Sequence, residues 1–125
     1  MINHLSFGVS DLARATVFYD AVLGALGYNR TRSTAEDAAY GPGSDQTFFL
    51  YPADGSVAGA RMHLAFDAPS REAVIAFHAE ALKRGGRSVR EPGERPDISA
   101  QYFGAIIDDP DGHRIEVVVA PATMH

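Results

Sequence analysis

The segment from His4 to Gly27 is repeated in outline from His63 to Gly86. A shift of 59 positions carries His4-Leu5-Ser6-Phe7 onto His63-Leu64-Ala65-Phe66, Phe18 onto Phe77, Leu23 onto Leu82 and Gly27 onto Gly86. A chain that repeats a strand-then-helix unit reads as a duplication, so its fold is expected to contain two similar modules. Duplication also brings the same residue type to two equivalent places. If those places face each other, two imidazoles converge, and converging imidazoles hold transition metals.

The local patterns agree with the repeat. Residues 2–9 alternate, with Leu5, Phe7 and Val9 on one face and His4, Ser6 and Gly8 on the other, which is the pattern of a strand with one apolar face. Ser10-Asp11 offers an N-cap. Leu12, Ala15, Tyr19, Val22, Leu23 and Leu26 follow at helical spacing, and Gly27 suits the left-handed position after a helix. Short strand-like runs come next at 28–33, 38–40 and 47–51. In the second unit 61–67 alternates, Pro69-Ser70 starts a helix whose Val74, Phe77, His78, Ala81 and Leu82 share a face, and Gly85-Gly86 ends it. Strands follow at 87–90, 101–108 and 114–119. The order is strand, helix, three strands, twice over. Residues 52–59 form a turn-rich link too short to make the halves independent, so the 125 residues read as one domain built from modules 1–55 and 60–121.

Parity then decides which way the histidines point. The apolar residues of each opening strand must cover the helix that follows, so His4 and His63 face the opposite side of the sheet. In the last strand Ile115, Val117 and Val119 form the apolar face, which turns Glu116 toward the histidines. Two imidazoles and one carboxylate on one side of a curved sheet make the facial arrangement that binds a divalent metal and leaves positions open for water or substrate. Fe, Mn, Ni and Zn all suit such a site. With no cysteine in the chain, thiolate sites, disulfides and cysteine nucleophiles are excluded. A net charge of −5 and a pI near 5.4 argue against nucleic acid and anionic membranes as partners. No apolar run reaches the length of a membrane span and Met1-Ile2-Asn3-His4 shows neither the basic nor the apolar region of a signal peptide, so a cytoplasmic location is expected.

These residues resemble the vicinal oxygen chelate superfamily, the family of glyoxalase I, extradiol dioxygenases, and the fosfomycin- and bleomycin-resistance proteins. The resemblance rests on the opening His4-Leu5-Ser6-Phe7 strand, the Phe18-Tyr19 helix ending at Leu26-Gly27, the His63-Leu64-Ala65-Phe66 strand, and the closing run Asp109-Pro110-Asp111-Gly112-His113-Arg114-Ile115-Glu116. It implies an α+β fold: two tandem βαβββ modules forming an open, cup-shaped mixed β-barrel with helices outside. It also implies His4, His63 and Glu116 as metal ligands, a small substrate with vicinal oxygens, isomerase, lyase or dioxygenase chemistry, and a homodimer whose sites combine modules of two chains. The chain departs from the family at two places. Glyoxalase I carries a glutamate where Phe49 stands here, and the tyrosine that stands ten residues before the final glutamate in other members is replaced by Ile106. The alternative implied function is therefore a metal-free protein that sequesters a ligand, as bleomycin-binding members do.

The remaining candidates divide between pocket and scaffold. Tyr102 shares the parity of Ile106 and can project into the cup. Phe49 and Tyr51 can line an apolar pocket. The polar run 90–97 is expected to be a loop whose Arg95 can meet a substrate carboxylate. Glu116 is the one ligand that can also accept a proton. His78 is expected to pack, His113 to face solvent from its turn, and His125 to be disordered at the terminus.

Overall fold

Two residues with short polar side chains start the helices. Asp11 accepts a hydrogen bond from the Arg14 N–H, and Ser70 from the Ala73 N–H, so each cap satisfies a donor that the first helical turn leaves without a partner. The computed structural model describes residues 2–53, 55, 57–59 and 61–120; Met1, Asp54, Ser56, Ala60 and 121–125, His125 among them, lie outside the described residues. The elements run β1 (Leu5–Val9), α1 (Leu12–Gly24), β2 (Asn29–Ser33), β3 (Ala38–Gly41), β4 (Phe48–Pro52), then β5 (Leu64–Asp67), α2 (Arg71–Lys83), β6 (Arg87–Glu94), β7 (Phe103–Asp108) and β8 (Arg114–Val119). This is the βαβββ order, twice. Each helix has 13 residues, and the second starts 59 positions after the first.

The turns after the helices differ by one residue. Gly27 takes the left-handed conformation (φ 89°) in the first module, but Gly85, not the repeat-matched Gly86, takes it in the second (φ 93°). Gly86 is constrained by space instead: a Cβ there would lie 2.8 Å from the Ala81 carbonyl oxygen and 3.0 Å from the Phe18 ring. Leu82 also breaks the repeat. It lies about 80° round the helix from Val74, at the margin of the buried stripe, and is 44% exposed, whereas its counterpart Leu23 is fully buried.

The strands form two open four-stranded sheets with the same order, β1-β4-β3-β2 and β5-β8-β7-β6. In each, the opening strand pairs parallel with the last and the other pairs are antiparallel. The sheets are not closed on each other, which fits the expected open cup. Alternation sorts their faces. Phe7, Val9, Phe48 and Leu50 of the first sheet, and Ala105, Ile107, Ile115 and Val117 of the second, join Phe18, Tyr19, Val22, Val74 and Phe77 of the helices in one buried cluster. Burial of this shared core, not helix propensity, is what holds two 13-residue helices in place. Among the described residues no helix is long and apolar enough to cross a membrane.

The turn between β7 and β8 ties the modules together. Asp111 accepts from the Ser10 hydroxyl at 2.6 Å and the Ser10 N–H at 3.1 Å, and pairs with Arg14 at 3.3 Å. Asp109 accepts from the Tyr19 hydroxyl at 2.6 Å and from His113 Nδ1 at 2.8 Å. The His113 ring stacks on Phe7 of β1, centroids 4.2 Å apart and planes within 4°. His113 is therefore buried (2% exposed), and the expectation that it faces solvent is corrected. A turn sequence fixes the backbone; it does not say that another module will close over it.

Candidate functional site

The strand registers set the second sheet's polar face as rows of neighbours. Leu64 lies opposite Ile115 and Ala65 opposite Glu116 in the parallel β5–β8 pair, so His63, one step earlier, stands beside Arg114. Across β7, Asp108 pairs with Arg114 and Ile106 with Glu116. On β6, Arg87 pairs with Asp108 and Arg90 with Ile106. One row thus reads Arg87, Asp108, Arg114, His63. The next reads Arg90, Ile106, Glu116, Ala65. Paired residues project to the same face of a sheet, so these polar groups share the face turned away from the apolar cluster.

Glu116 is the centre of this face. His63 Nε2 donates to its Oε1 at 2.9 Å, and the Tyr102 hydroxyl donates to its Oε2 at 2.5 Å. Arg90 donates to the Tyr102 hydroxyl, lies over the Tyr102 ring at 5.2 Å, and comes within 4.0 Å of Glu116 Oε2. Glu116 is 9% exposed and Tyr102 fully buried, whereas the His63 side chain is 47% exposed. Burial first, then the hydrogen bond to Glu116 and its charge, push the Tyr102 phenol up to about 12, so Tyr102 acts as a neutral donor that fixes one carboxylate oxygen.

Tyr102 reaches Glu116 because residue 104 has no side chain. A Cβ on Gly104 would lie 2.6 Å from the Tyr102 hydroxyl and 2.8 Å from Cζ of its ring. The ring folds over Gly104, crosses the two pairs that separate it from Ile106, and occupies the space beside Glu116. The sequence signal for this was a glycine two residues from a tyrosine on the same strand face, a place where another group approaches the backbone closely. Arg90 was missed because its run read as a loop. In the structure β6 continues to Glu94, with irregular pairing between Ser88 and Arg90 and between Arg90 and Gly93.

His4 lies on the first sheet. It precedes β1, where Ser6 pairs with Phe49 and Gly8 with Tyr51, so His4, Phe49 and Tyr51 share that sheet's non-core face. The His4 ring packs edge-on against Phe49 at 5.7 Å, and Phe49 stacks on Tyr51 at 6.0 Å. His4 Nδ1 contacts Asn3 Oδ1 at 2.9 Å. The structure thus brings together His63, Glu116 and Tyr102, and separately His4, Phe49 and Tyr51. Arg95 hydrogen-bonds neither group, although its charge acts on Tyr102 and Glu116. It forms a two-point pair with Asp97 at 2.8 and 2.6 Å. His78 is buried and meets the Ser88 hydroxyl at 2.8 Å, a packing role.

The donor chemistry partly fits a metal. An imidazole nitrogen and a carboxylate oxygen converge at His63 and Glu116, two of the three donors of a facial site. Among the described residues no three metal-ligating side chains gather within one chain.

Comparison with known proteins fits this geometry. The model of the Glyoxalase/Bleomycin resistance protein/Dioxygenase superfamily matches residues 1–117. No curated protein matches. Among solved structures, a glyoxalase/bleomycin resistance protein from Albidiferax ferrireducens is 32% identical, with a TM-score of 0.83 over 95% of this chain and 98% of that one. The fosfomycin resistance protein FosX from Mesorhizobium loti is 18% identical, with a TM-score of 0.72 over 98% of this chain and 94% of that one. A glyoxalase I mutant from Zea mays is 23% identical, with a TM-score of 0.72 over 93% of this chain but 44% of that longer one. The latter two show the fold alone. With its paired βαβββ modules, its polar sheet face around Glu116 and a family match over nearly its whole length, this chain belongs to the Glyoxalase/Bleomycin resistance protein/Dioxygenase superfamily.

Proposed function

We propose that this protein is a glyoxalase-like metalloenzyme that acts on a small substrate with vicinal oxygens, by isomerase, lyase or dioxygenase chemistry. His63 and Glu116 would hold the metal together with His4 of the partner subunit in a homodimer. The observation that carries the reading is the 2.9 Å approach of His63 Nε2 and Glu116 Oε1 on a polar sheet face. A bound Fe, Mn, Ni or Zn ion would supply Lewis acidity toward the two substrate oxygens.

The chain's own residues set the terms of that chemistry. The Tyr102 hydroxyl, itself held by Arg90, fixes Glu116 Oε2, while Oε1, which accepts from His63 Nε2, would turn to a metal that took the place of that proton. Phe49 and Tyr51, beside His4, offer an apolar wall for the body of a substrate. Arg95 is engaged by Asp97 and would have to leave it to meet a ligand carboxylate.

A second reading, metal-free sequestration of a ligand, is favoured by one observation: both oxygens of Glu116 already have protein partners. Elemental analysis of protein purified without chelators separates the two. The enzyme reading expects about one divalent ion per chain, lost in both His4→Ala and His63→Ala. Protein that takes up no metal on reconstitution yet binds an aromatic ligand tightly would establish the sequestering reading instead.

A further inference from the structure

The row Arg87, Asp108, Arg114, His63 runs along the end of the second sheet where β5 and β8 begin. A cavity of about 470 Å³ opens there, lined by His63, Arg114, Asp108, Gly112, Met62 and Arg61, with Ala58 and Gly59 of the link. This volume is in the range that takes a small molecule. Its charges do not balance. Asp108 is held by Arg87 at 2.6 Å and by Arg114 at 3.0 and 3.2 Å. Asp108 thus faces Arg114 within the cavity and Arg87 beyond its lining, and Arg61 adds a further guanidinium to the lining. Burial alone would raise the Asp108 carboxyl, but hydrogen bonds from Arg114 and Arg87 hold it below its ordinary value, so it stays an anion already claimed by its two partners. Among the described residues Arg61 has no hydrogen-bond or ion-pair partner. A local cationic excess on a chain whose net charge is −5 is a focus for anions.

We infer that this cavity is an oxyanion subsite, in which Arg61 and Arg114 bind a carboxylate or phosphate group carried by the substrate. His63 is the link to the reacting centre: it lines this cavity and its Nε2 meets Glu116 Oε1. A small molecule anchored by its anionic end on the arginines would lay its next atoms against His63 and Glu116. Asp108 presets Arg114 by accepting from Nε and Nη2, which fixes the plane of the guanidinium. The substrate class named here rests on the proposed function. The anion site itself does not need the metal.

The test uses full-length protein freed of metal by chelation and then dialysed. Amide resonances are followed while inorganic phosphate, and in a separate series acetate, replaces chloride at constant ionic strength. The subsite expects saturable shifts for the amides of Gly59, Met62 and Gly112 with at least one of the two anions. The anion that saturates tells phosphate from carboxylate recognition. Arg61→Gln should weaken that binding about tenfold, a loss typical of a charged hydrogen bond. Arg71→Gln, which removes the same charge outside the cavity, should leave it within about twofold of wild type. Arg61 is exposed, so its variant will fold. Shifts that never saturate for either anion, or equal weakening by both variants, would overturn the subsite. A protein that binds phosphate but never takes up metal would refute the metalloenzyme and keep the subsite, and the converse result would do the reverse.

Discussion

Both ring nitrogens of His113 meet groups that can only accept. Nδ1 lies 2.8 Å from Asp109 Oδ2 and Nε2 lies 2.7 Å from the Val57 carbonyl oxygen. Two donated bonds require the imidazolium. Burial alone would push this ring down, but the hydrogen bond and charge of Asp109, with lesser help from Val57 and Asp111, hold it above its ordinary 6.5. The groups packed around it are the Tyr19 hydroxyl, Asp109, Asp111 and the Phe7 ring. A histidine whose folded pKa is raised stabilises the fold fully below the unfolded value, and that contribution is lost as pH rises through the folded one. The His113 contribution to the urea midpoint should therefore be full near pH 6, above the acid range where depressed carboxyls such as Asp108 lose theirs, and fall through the neutral and mildly alkaline range. His113→Gln should abolish that fall and cost about 3 kcal/mol at pH 6, because it leaves the Asp109 carboxylate buried without its cation. Equal pH slopes in the two proteins would refute the assignment. None of this was legible in Asp109-Pro110-Asp111-Gly112-His113. The turn was readable from its residues; the partners Tyr19, Val57 and Phe7 come from other parts of the chain, and no local pattern names them. Glu116 was legible, because one-in-two alternation along β8 leaves it only one face to occupy.

Strand β7 and its neighbour β6 show where element-scale reading stopped. The sequence places β6 at 87–90 and reads the polar run 90–97 as a loop. The strand runs on to Glu94 because it is the edge of its sheet, where the N–H that Pro92 lacks is not required and irregular pairing absorbs the misfit. That extension belongs to the strand that carries Arg90 to Tyr102. On β7, Gly104 has the opposite role, leaving space where a side chain is normal. A Cβ there would meet the Tyr102 hydroxyl at 2.6 Å and the Val117 carbonyl oxygen at 2.8 Å. Gly104→Ala should cost about 3 kcal/mol of stability, the upper range for overpacking. Part of that strain is against Tyr102 and part against backbone. Tyr102→Ala removes the first part only, so Tyr102→Ala/Gly104→Ala should cost measurably less than the sum of the two single losses. Denaturant unfolding of the three variants reads this directly, and strict additivity would show that Gly104 does not seat the tyrosine.

At the scale of the whole molecule, the repeat made two modules readable, and side-chain parity turned His4, His63 and Glu116 away from the helices. Parity cannot say which polar faces meet. In the chain, His4 sits with Phe49 and Tyr51 on one sheet, His63 with Glu116 and Tyr102 on the other. The edge strands β1 and β5 are not hydrogen-bonded to each other, and residues of both line a groove of about 470 Å³ that the Tyr28 hydroxyl spans to the Asp67 carbonyl at 3.2 Å. Two complementary part-sites on separate sheets are what a symmetric dimer can unite, since a two-fold axis brings the first sheet of each copy to the second sheet of the other and makes two equal sites. The proposed dimer then has a consequence that neither module alone would show. His4→Ala and Glu116→Ala should each bind no divalent ion tightly. Unfolded together and refolded as a mixture, they should recover roughly a quarter of the wild-type metal, because half the dimers are mixed and each mixed dimer holds one complete site. Sedimentation must show a dimer in all three samples. A mixture that stays as empty as its parents, or a monomer that binds metal at full stoichiometry, would place the three ligands in some other relation and refute the shared site.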